Sequence, residues 1–277
     1  MRIDSHQHFW KYVPTEYTWM KPDWHIRQDY LPDDLIREFA PCDLDGCIAV
    51  QARQTLEENR FLLELADHNP VIKGVVGWVD LRADDVEEQL ALFAEHPRFV
   101  GVRHIVQEEP DNDFMLGAAF QRGISKLASF GLVYDILVFP KQLPASNKLV
   151  RKFPDLPFVL DHIAKPFIKD RVIGDWENEI RELAKAPNVT CKISGMITEA
   201  TWNTWKPADF RPYLDIVVDA FGIDRLMYGS DWPVALLAGT YKQVYDLAYD
   251  YVSALGKDAE RAIFGETAAR FYLNNKR

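Results

Sequence analysis

The segment Asp4-Ser5-His6-Gln7-His8 sets two imidazoles two positions apart near the start of the chain, at the end of what reads as a first β-strand. Side chains two apart in a strand share a face, so His6 and His8 converge, and converging neutral imidazoles can hold a metal ion or polarise a substrate. Seven histidines in 277 residues produce such a pair by chance often enough that the rest of the chain has to decide. Further along, polar residues end other apolar runs: Gln51 and Arg53, Trp78 and Asp80, Arg103 and His104, Tyr134 and Asp135, Asp161 and His162, then Lys192 and Asp231. His6, His8, His162 and Asp231 together offer three imidazoles and a carboxylate, a donor set acceptable to one zinc or similar divalent ion. The same four groups can also serve without metal, as hydrogen-bonding partners of a substrate. On either reading Asp231 is the general base, because a carboxylate beside imidazoles stays ionised and can take a proton from water. The substrate-contact candidates are Arg53, Trp78, Arg103 and His104; the guanidinium forks suit a carboxylate or oxyanion, with ion pairing inside the fold as the alternative. Arg103 and His104 are adjacent in a strand, so only one of them faces the site. Asp161 reads as a group that orients a neighbour, and Lys165 and Lys192 as ion-pair formers rather than Schiff-base lysines.

Groups so far apart in sequence need a scaffold that gathers them. Eight short β-rich runs recur, at Arg2–Ser5, Gly46–Gln51, Val75–Val79, Val100–Val106, Leu132–Val138, Phe158–Leu160, Val189–Ile193 and Arg225–Tyr228. Several are nearly continuous in Val, Ile and Leu, as parallel strands covered on both faces must be. Between them lie helical stretches: Pro32–Phe39 with an acidic first turn after proline, Leu56–Asp67, Asp84–Glu95, Gly117–Phe130, and Asp175–Ala186 with Asp175 as candidate N-cap. Alternating strands and helices with no linker predict an α/β fold, a single (β/α)8 barrel domain over residues 1–277. A doubly wound open sheet is the structural alternative, but no glycine-rich phosphate loop follows the first strand. In a barrel the strand C-termini form the site, which is where the polar residues above fall. Trp10, Trp19 and Trp24 in the long segment after the first strand, and Trp202 and Trp205 in a later loop, suit a lid, a subunit contact or ordinary packing. His25, His68 and His96 read as surface residues.

Composition narrows the partners. With 32 Lys+Arg against 42 Asp+Glu the net charge is -10, and no basic stripe appears, which argues against nucleic acid or an anionic membrane. A small molecule is the expected partner, and a homo-oligomer is compatible with the sequence. The absence of a signal-like start and of an 18-residue apolar run predicts a cytoplasmic protein. Cys42, Cys47 and Cys191 lack zinc spacing and read as buried thiols of a reducing compartment.

Taken together, Ile3-Asp4-Ser5-His6-Gln7-His8-Phe9-Trp10, Gly101-Val102-Arg103-His104, Leu160-Asp161-His162-Ile163-Ala164-Lys165-Pro166, the run Phe221 to Pro233 and Thr267-Ala268-Ala269-Arg270-Phe271-Tyr272 resemble the amidohydrolase superfamily. The resemblance is to its sugar-lactone hydrolase branch, with fuconolactonases, rhamnonolactonases and pyrone-dicarboxylate hydrolases. It implies a distorted (β/α)8 TIM barrel in which His6, His8, His162 and Asp231 surround a reacting carbonyl, Asp231 activates water, and Arg103 holds substrate. It implies a lactone hydrolase acting on a sugar-acid lactone with one divalent metal ion or none. Tyr134 and Asp135 stand where binuclear relatives carry a metal-binding histidine, which disfavours a binuclear centre. Two other readings remain open at this level: a metal-dependent decarboxylase of an acidic aromatic substrate, and a non-catalytic sugar-acid binding protein.

Overall fold

A computed structural model describes residues 1–274. Eight strands lie parallel in sequence order in one sheet: β1 (Ile3–Gln7), β2 (Gly46–Val50), β3 (Ile72–Gly77), β4 (Phe99–His104), β5 (Val133–Ile136), β6 (Phe158–Leu160), β7 (Val189–Ile193) and β8 (Leu226–Tyr228). The crossovers carry α1 (Pro32–Phe39), α2 (Leu56–His68), α3 (Val86–Ala94), α4 (Ala118–Leu127), α5 (Leu143–Lys152), α6 (Gly174–Ala184) and α7 (Pro207–Phe221), and α8 (Tyr241–Ser253) follows β8. The sheet curls into a (β/α)8 barrel whose β8/β1 seam is drawn shut just past the strand ends. There the His8 N–H donates to the Trp232 carbonyl at 2.7 Å and the Asp231 N–H to the His6 carbonyl at 2.8 Å. Ser5 Oγ donates to the Tyr228 carbonyl at 2.6 Å lower down.

Local chemistry sets the helix starts. Thr55 Oγ1 accepts the Glu58 N–H at 3.2 Å to begin α2, and Pro32 opens α1, where the Asp34 carboxylate accepts the Leu31 N–H at 2.9 Å. Helix α6 departs from expectation: it starts at Gly174, Ile173 holds the cap position, and Asp175 lies inside the first turn, where its charge still favours the helix N-terminus.

Strict alternation is broken in three strands, and this matters for the site. The register of β1 shifts between Asp4 and Gln7, and the β2–β3 and β3–β4 ladders shift between Cys47 and Ile48 and between Val75 and Val76. A bulge re-phases the side chains beyond it. Val100 therefore joins the barrel interior low in β4, while Arg103, an odd number of positions on, also turns inward.

The interior is layered. Its lower layer is apolar: Ile3, Ile48, Val50, Val76, Val100, Val133, Val159 and Met227, with Ala268 and Tyr272 from the C-terminal helical segment plugging the end at which the strands begin. Above it lies a buried charged layer, in which Lys192 Nζ sits 2.6 Å from Asp135 Oδ2 and 2.9 Å from Asp161 Oδ1. The Tyr272 hydroxyl reaches up through the plug to donate to Asp135 at 2.7 Å. Lys192 is thus an ion-pair lysine with its ammonium fully enclosed.

Candidate active site

His6 lies within the shifted stretch of β1 and His8 just after it, and both rings come to the inside, with centroids 5.0 Å apart. His162 arrives by a different device. After β6 the chain makes a left-handed turn in which His162, Ile163, Ala164 and Lys165 all have φ between 48° and 59°. Non-glycine residues pay about 1–2 kcal/mol each for that conformation, a cost expected where geometry serves function. The turn folds His162 back so that its ring centroid lies 4.3 Å from that of His6, and Ser194 Oγ holds its Nδ1 at 2.8 Å. Asp231, with φ 58°, follows β8 in the same strained region.

These four groups meet at one point. Asp231 Oδ1 stands 3.4 Å from His8 Nε2, 3.8 Å from His162 Nε2 and 3.9 Å from His6 Nε2. The partners behind the rings decide which lone pairs face inward. His8 Nδ1–H donates to the Val50 carbonyl at 2.7 Å, which turns Nε2 toward the Asp231 carboxylate. His6 Nδ1 lies 3.2 Å from Asp161 Oδ1 and 3.1 Å from Lys192 Nζ, and His6 Nε2 lies 3.2 Å from Arg103 Nη1.

Electrostatics fixes the charge states. Burial, reinforced by Lys192 and Arg103 and only partly opposed by Asp161, pushes the His6 imidazole well below its ordinary range. Burial does the same to His162 against the pull of Asp231. For Asp231 burial acts upward, but His162, His8 and Lys165 outweigh it and hold the carboxyl below its ordinary value. Asp161 likewise stays ionised because Lys192, His6 and Arg103 overcome its burial. The centre therefore presents the neutral imidazoles of His6 and His162 beside an ionised carboxylate, a set of donor atoms that suits a cation. Ligand atoms around tetrahedral zinc stand roughly 3.3 Å apart for bonds near 2.0–2.1 Å. The spacings of 3.4–3.9 Å about Asp231 Oδ1 fit such an ion, and His6, His8 and Asp231 form one candidate metal group. An ion held there would compete with Arg103 Nη1, 3.2 Å away, for His6 Nε2.

The cluster opens into a cavity of about 280 Å³ at the C-terminal ends of the strands. Ile105, Leu137, Val234 and Leu237 give it apolar surface, and Trp19, Trp24 and Trp202 frame it. Trp24 lies 6.1 Å from Trp202 across the mouth, joining the long segment after β1 to the loop after β7. Trp10 is instead buried beneath this rim, and Trp205 takes the packing role, against Phe210 at 5.3 Å.

Of the four substrate-contact candidates, only Arg103 lines the cavity. Even there, its guanidinium is bonded to His6, to Asp161 Oδ2 at 3.2 Å and to the Gln51 carbonyl, and only Nε is without a partner. Arg103 holds the base of the site together more than it reaches into the cavity. Arg53 is turned away: Glu58 accepts its Nε–H at 2.9 Å, Glu16 binds Nη1, and the guanidinium covers the Tyr17 ring. Trp78 is displaced because β3 ends at Gly77, where Asn59 bonds both the Trp78 N–H at 2.8 Å and the Trp78 carbonyl at 2.6 Å. His104 faces outward as strand alternation requires, stacked on Phe114 and bonded to Glu109 at 2.7 Å. Conversely, Lys165, Thr198 and Glu199 line the cavity although the sequence marks none of them as part of the site. Lys165 does pair, with Glu199 at 3.6 Å, but it does so inside the cavity. The signal that it belongs there was its place three residues after His162.

Gly195 shows how tightly His162 is held. It has φ +59°, and a Cβ there would lie 2.5 Å from His162 Nδ1. Gly195→Ala is expected to push the imidazole off Ser194 and to lower turnover roughly tenfold or more, since misplacement by about an ångström is enough for that. Steady-state kinetics beside a melting curve would separate this from simple unfolding.

A parallel barrel with an His-x-His pair after the first strand, a histidine after the sixth and an aspartate after the eighth defines a hydrolase-type centre. The chain belongs to the amidohydrolase family, whose model matches residues 3–273. It is 42% identical to the L-fucono-1,5-lactonase of Burkholderia multivorans, over 98% of this chain and 96% of that protein. It is 37% identical to the L-fucono-1,5-lactonase of Burkholderia ambifaria, over 98% and 95%. Among solved structures, an amidohydrolase from Burkholderia multivorans with bound zinc superposes with a TM-score of 0.94 at 41% identity, covering 98% of this chain and 99% of that one. No helix among the described residues is long and apolar enough to cross a membrane.

Proposed function

We propose that this chain is a sugar-lactone hydrolase whose substrate is an aldonolactone of the L-fucono-1,5-lactone type. The observation that carries the reading is Asp231, ionised and faced by three imidazoles at the floor of a cavity the size of one sugar ring. Similarity to the two Burkholderia lactonases over nearly the whole chain supports it. In this reading Asp231 takes a proton from the attacking water. His162, kept in place by Ser194, lies beside the reacting carbonyl. His6 is kept neutral by burial with Lys192 and Arg103 beside its two nitrogens, and Asp161 holds the ring from below. Negative charge that develops on the carbonyl oxygen is met by this preorganised, water-poor end of the barrel.

A single zinc-like ion fits the donor set of His6, His8 and Asp231, whose ligand atoms lie within 4.8 Å of one another, with His162 beside them, and the zinc-bound relative supports this. When bound, such an ion supplies a Lewis acid. His8→Asn is expected to abolish stoichiometric zinc uptake, read by isothermal titration calorimetry of chelator-treated protein. Buried Cys42, Cys47 and Cys191 without disulfides support a cytoplasmic location. The function is tested by proton release from L-fucono-1,5-lactone and a panel of other hexono- and pentonolactones at neutral pH. Release no faster than spontaneous ring opening for every member would overturn the reading, and carbon dioxide from an aromatic acid would replace it with decarboxylation.

A further inference from the structure

Lys165 and Glu199 line the cavity beside His8, His162 and Asp231, and the chemistry above gives them no task. Their side chains are only 16% and 20% exposed, yet Lys165 Nζ stands 3.6 Å from Glu199 Oε1, outside hydrogen-bond range. Among the described residues neither charged head hydrogen-bonds any other protein group, and the ammonium lies 5.7 Å from the centroid of the Phe139 ring. Three other charged pairs of the barrel are closed: Lys192 on Asp135 at 2.6 Å, Arg53 Nε on Glu58 at 2.9 Å and Arg103 on Asp161 at 3.2 Å. A mostly buried charge without a hydrogen bond is costly, and such a pair facing a cavity is complete only when a ligand supplies the bonds.

Both backbones are fixed. Lys165 closes the left-handed turn that positions His162, its N–H donating to the His162 carbonyl at 2.8 Å, so ammonium and imidazole are set by one element. The Glu199 N–H donates to the Met196 carbonyl at 3.1 Å, and its carbonyl accepts the Lys169 N–H at 2.9 Å. The same loop is tied by Thr198 Oγ1 to the Gly195 carbonyl and by Trp202 Nε1 to the Thr198 carbonyl, each at 2.9 Å. A ligand gripped by this pair is therefore held in register with the reacting centre.

The pair also selects its ligand. Glu199 repels anions and Lys165 repels cations, whereas a hydroxyl donates to a carboxylate and accepts from an ammonium. An aldonolactone ring carries hydroxyls on the carbons that follow its carbonyl. Glu108, a further carboxylate of the lining, is exposed to solvent and needs no such partner. We propose that Lys165 and Glu199 form a hydroxyl clamp that orients the lactone by its ring hydroxyls and makes a polyhydroxylated ring, rather than a bare one, the substrate; this rests on the lactone-hydrolase reading. The ammonium donates to a hydroxyl oxygen, the carboxylate accepts from a hydroxyl, and no proton is transferred. A ring without hydroxyls leaves both charges desolvated and unpaired, which is how a site built for hydrogen bonds rejects an analogue that lacks them.

The test compares the aldonolactone opened fastest with δ-valerolactone, which has the 1,5-lactone ring and no hydroxyls. Glu199→Leu and Lys165→Met are each expected to lower kcat/KM for the aldonolactone about tenfold to a hundredfold, and to lower it far less for δ-valerolactone. Glu199→Gln keeps an acceptor oxygen and is expected to lie between wild type and Glu199→Leu. If δ-valerolactone turns over too slowly to follow, its inhibition constant against the aldonolactone supplies the same comparison. Circular dichroism and melting curves check folding, and the two Glu199 variants decide the matter if Lys165→Met, altered in the strained turn, does not fold. Parallel losses on both lactones, or an unchanged preference between them, would overturn the clamp and leave the pair a structural one. A wild-type protein that opens no lactone would instead overturn the underlying function, so the two failures are distinct.

Discussion

Asp231→Asn is expected to lower kcat for lactone opening by a hundredfold or more while leaving the melting temperature within a few degrees of wild type. The backbone of Asp231 does the structural work: its N–H bonds the His6 carbonyl at 2.8 Å and its carbonyl accepts the Ala235 N–H at 2.9 Å, neither of which the substitution touches. Asparagine also tolerates the left-handed φ of 58° better than most residues. What is lost is the one carboxylate faced by three imidazole nitrogens within 3.9 Å, and with it the acceptor for the water proton. A hundredfold is about 2.7 kcal/mol of transition-state stabilisation, well within what a positioned base supplies. Initial rates of proton release on purified variant, beside a thermal melt, provide the check. A folded variant that retains near-wild-type kcat would remove Asp231 from the mechanism.

The largest effect on stability is expected at Lys192. Its ammonium lies between Asp135 at 2.6 Å and Asp161 at 2.9 Å, and all three side chains are fully buried. Lys192→Met fills similar volume but strips the cation from between two buried carboxyl groups. Removing one partner from such a cluster costs about 3–5 kcal/mol because the remaining charges are stranded in a medium that solvates them poorly. For a chain of this size that corresponds to a fall in melting temperature on the order of 10 °C. Burial already pushes the Asp135 carboxyl up, against the Lys192 ammonium that restrains it. Without that ammonium Asp135 protonates more readily, so the variant is expected to be least handicapped at low pH. A melt unchanged from wild type at neutral pH would show that the network is not what supports the barrel floor. His6 rests on the same layer through Asp161 at 3.2 Å, and turnover is expected to fall with stability.

Much of this architecture is written in local pattern. Eight apolar runs and the helical periods between them correspond to the eight observed strands and their crossovers, because strand and helix periodicity depends on neighbours a few residues away. The same locality placed His6 and His8 on one face and made Arg103 rather than His104 point inward. Residues whose positions depend on distant partners were not legible in this way. Arg53 sits at a strand end like the others, yet Glu16 and Glu58 capture it, and Asn59 ends β3 at Gly77 before Trp78 can reach the mouth. Lys165 and Glu199 enter the cavity because a left-handed turn and a loop after β7 bring them there, and neither carries a periodic signal. Tyr272, near the end of the chain, bonds Asp135 on the fifth strand, 137 residues away. Chain order and alternation thus determined which elements form and which residues stand at their ends. Only the closed barrel decided which of those ends face one another, because buried charges pair with whatever partner the fold brings within hydrogen-bond reach, at any separation in sequence.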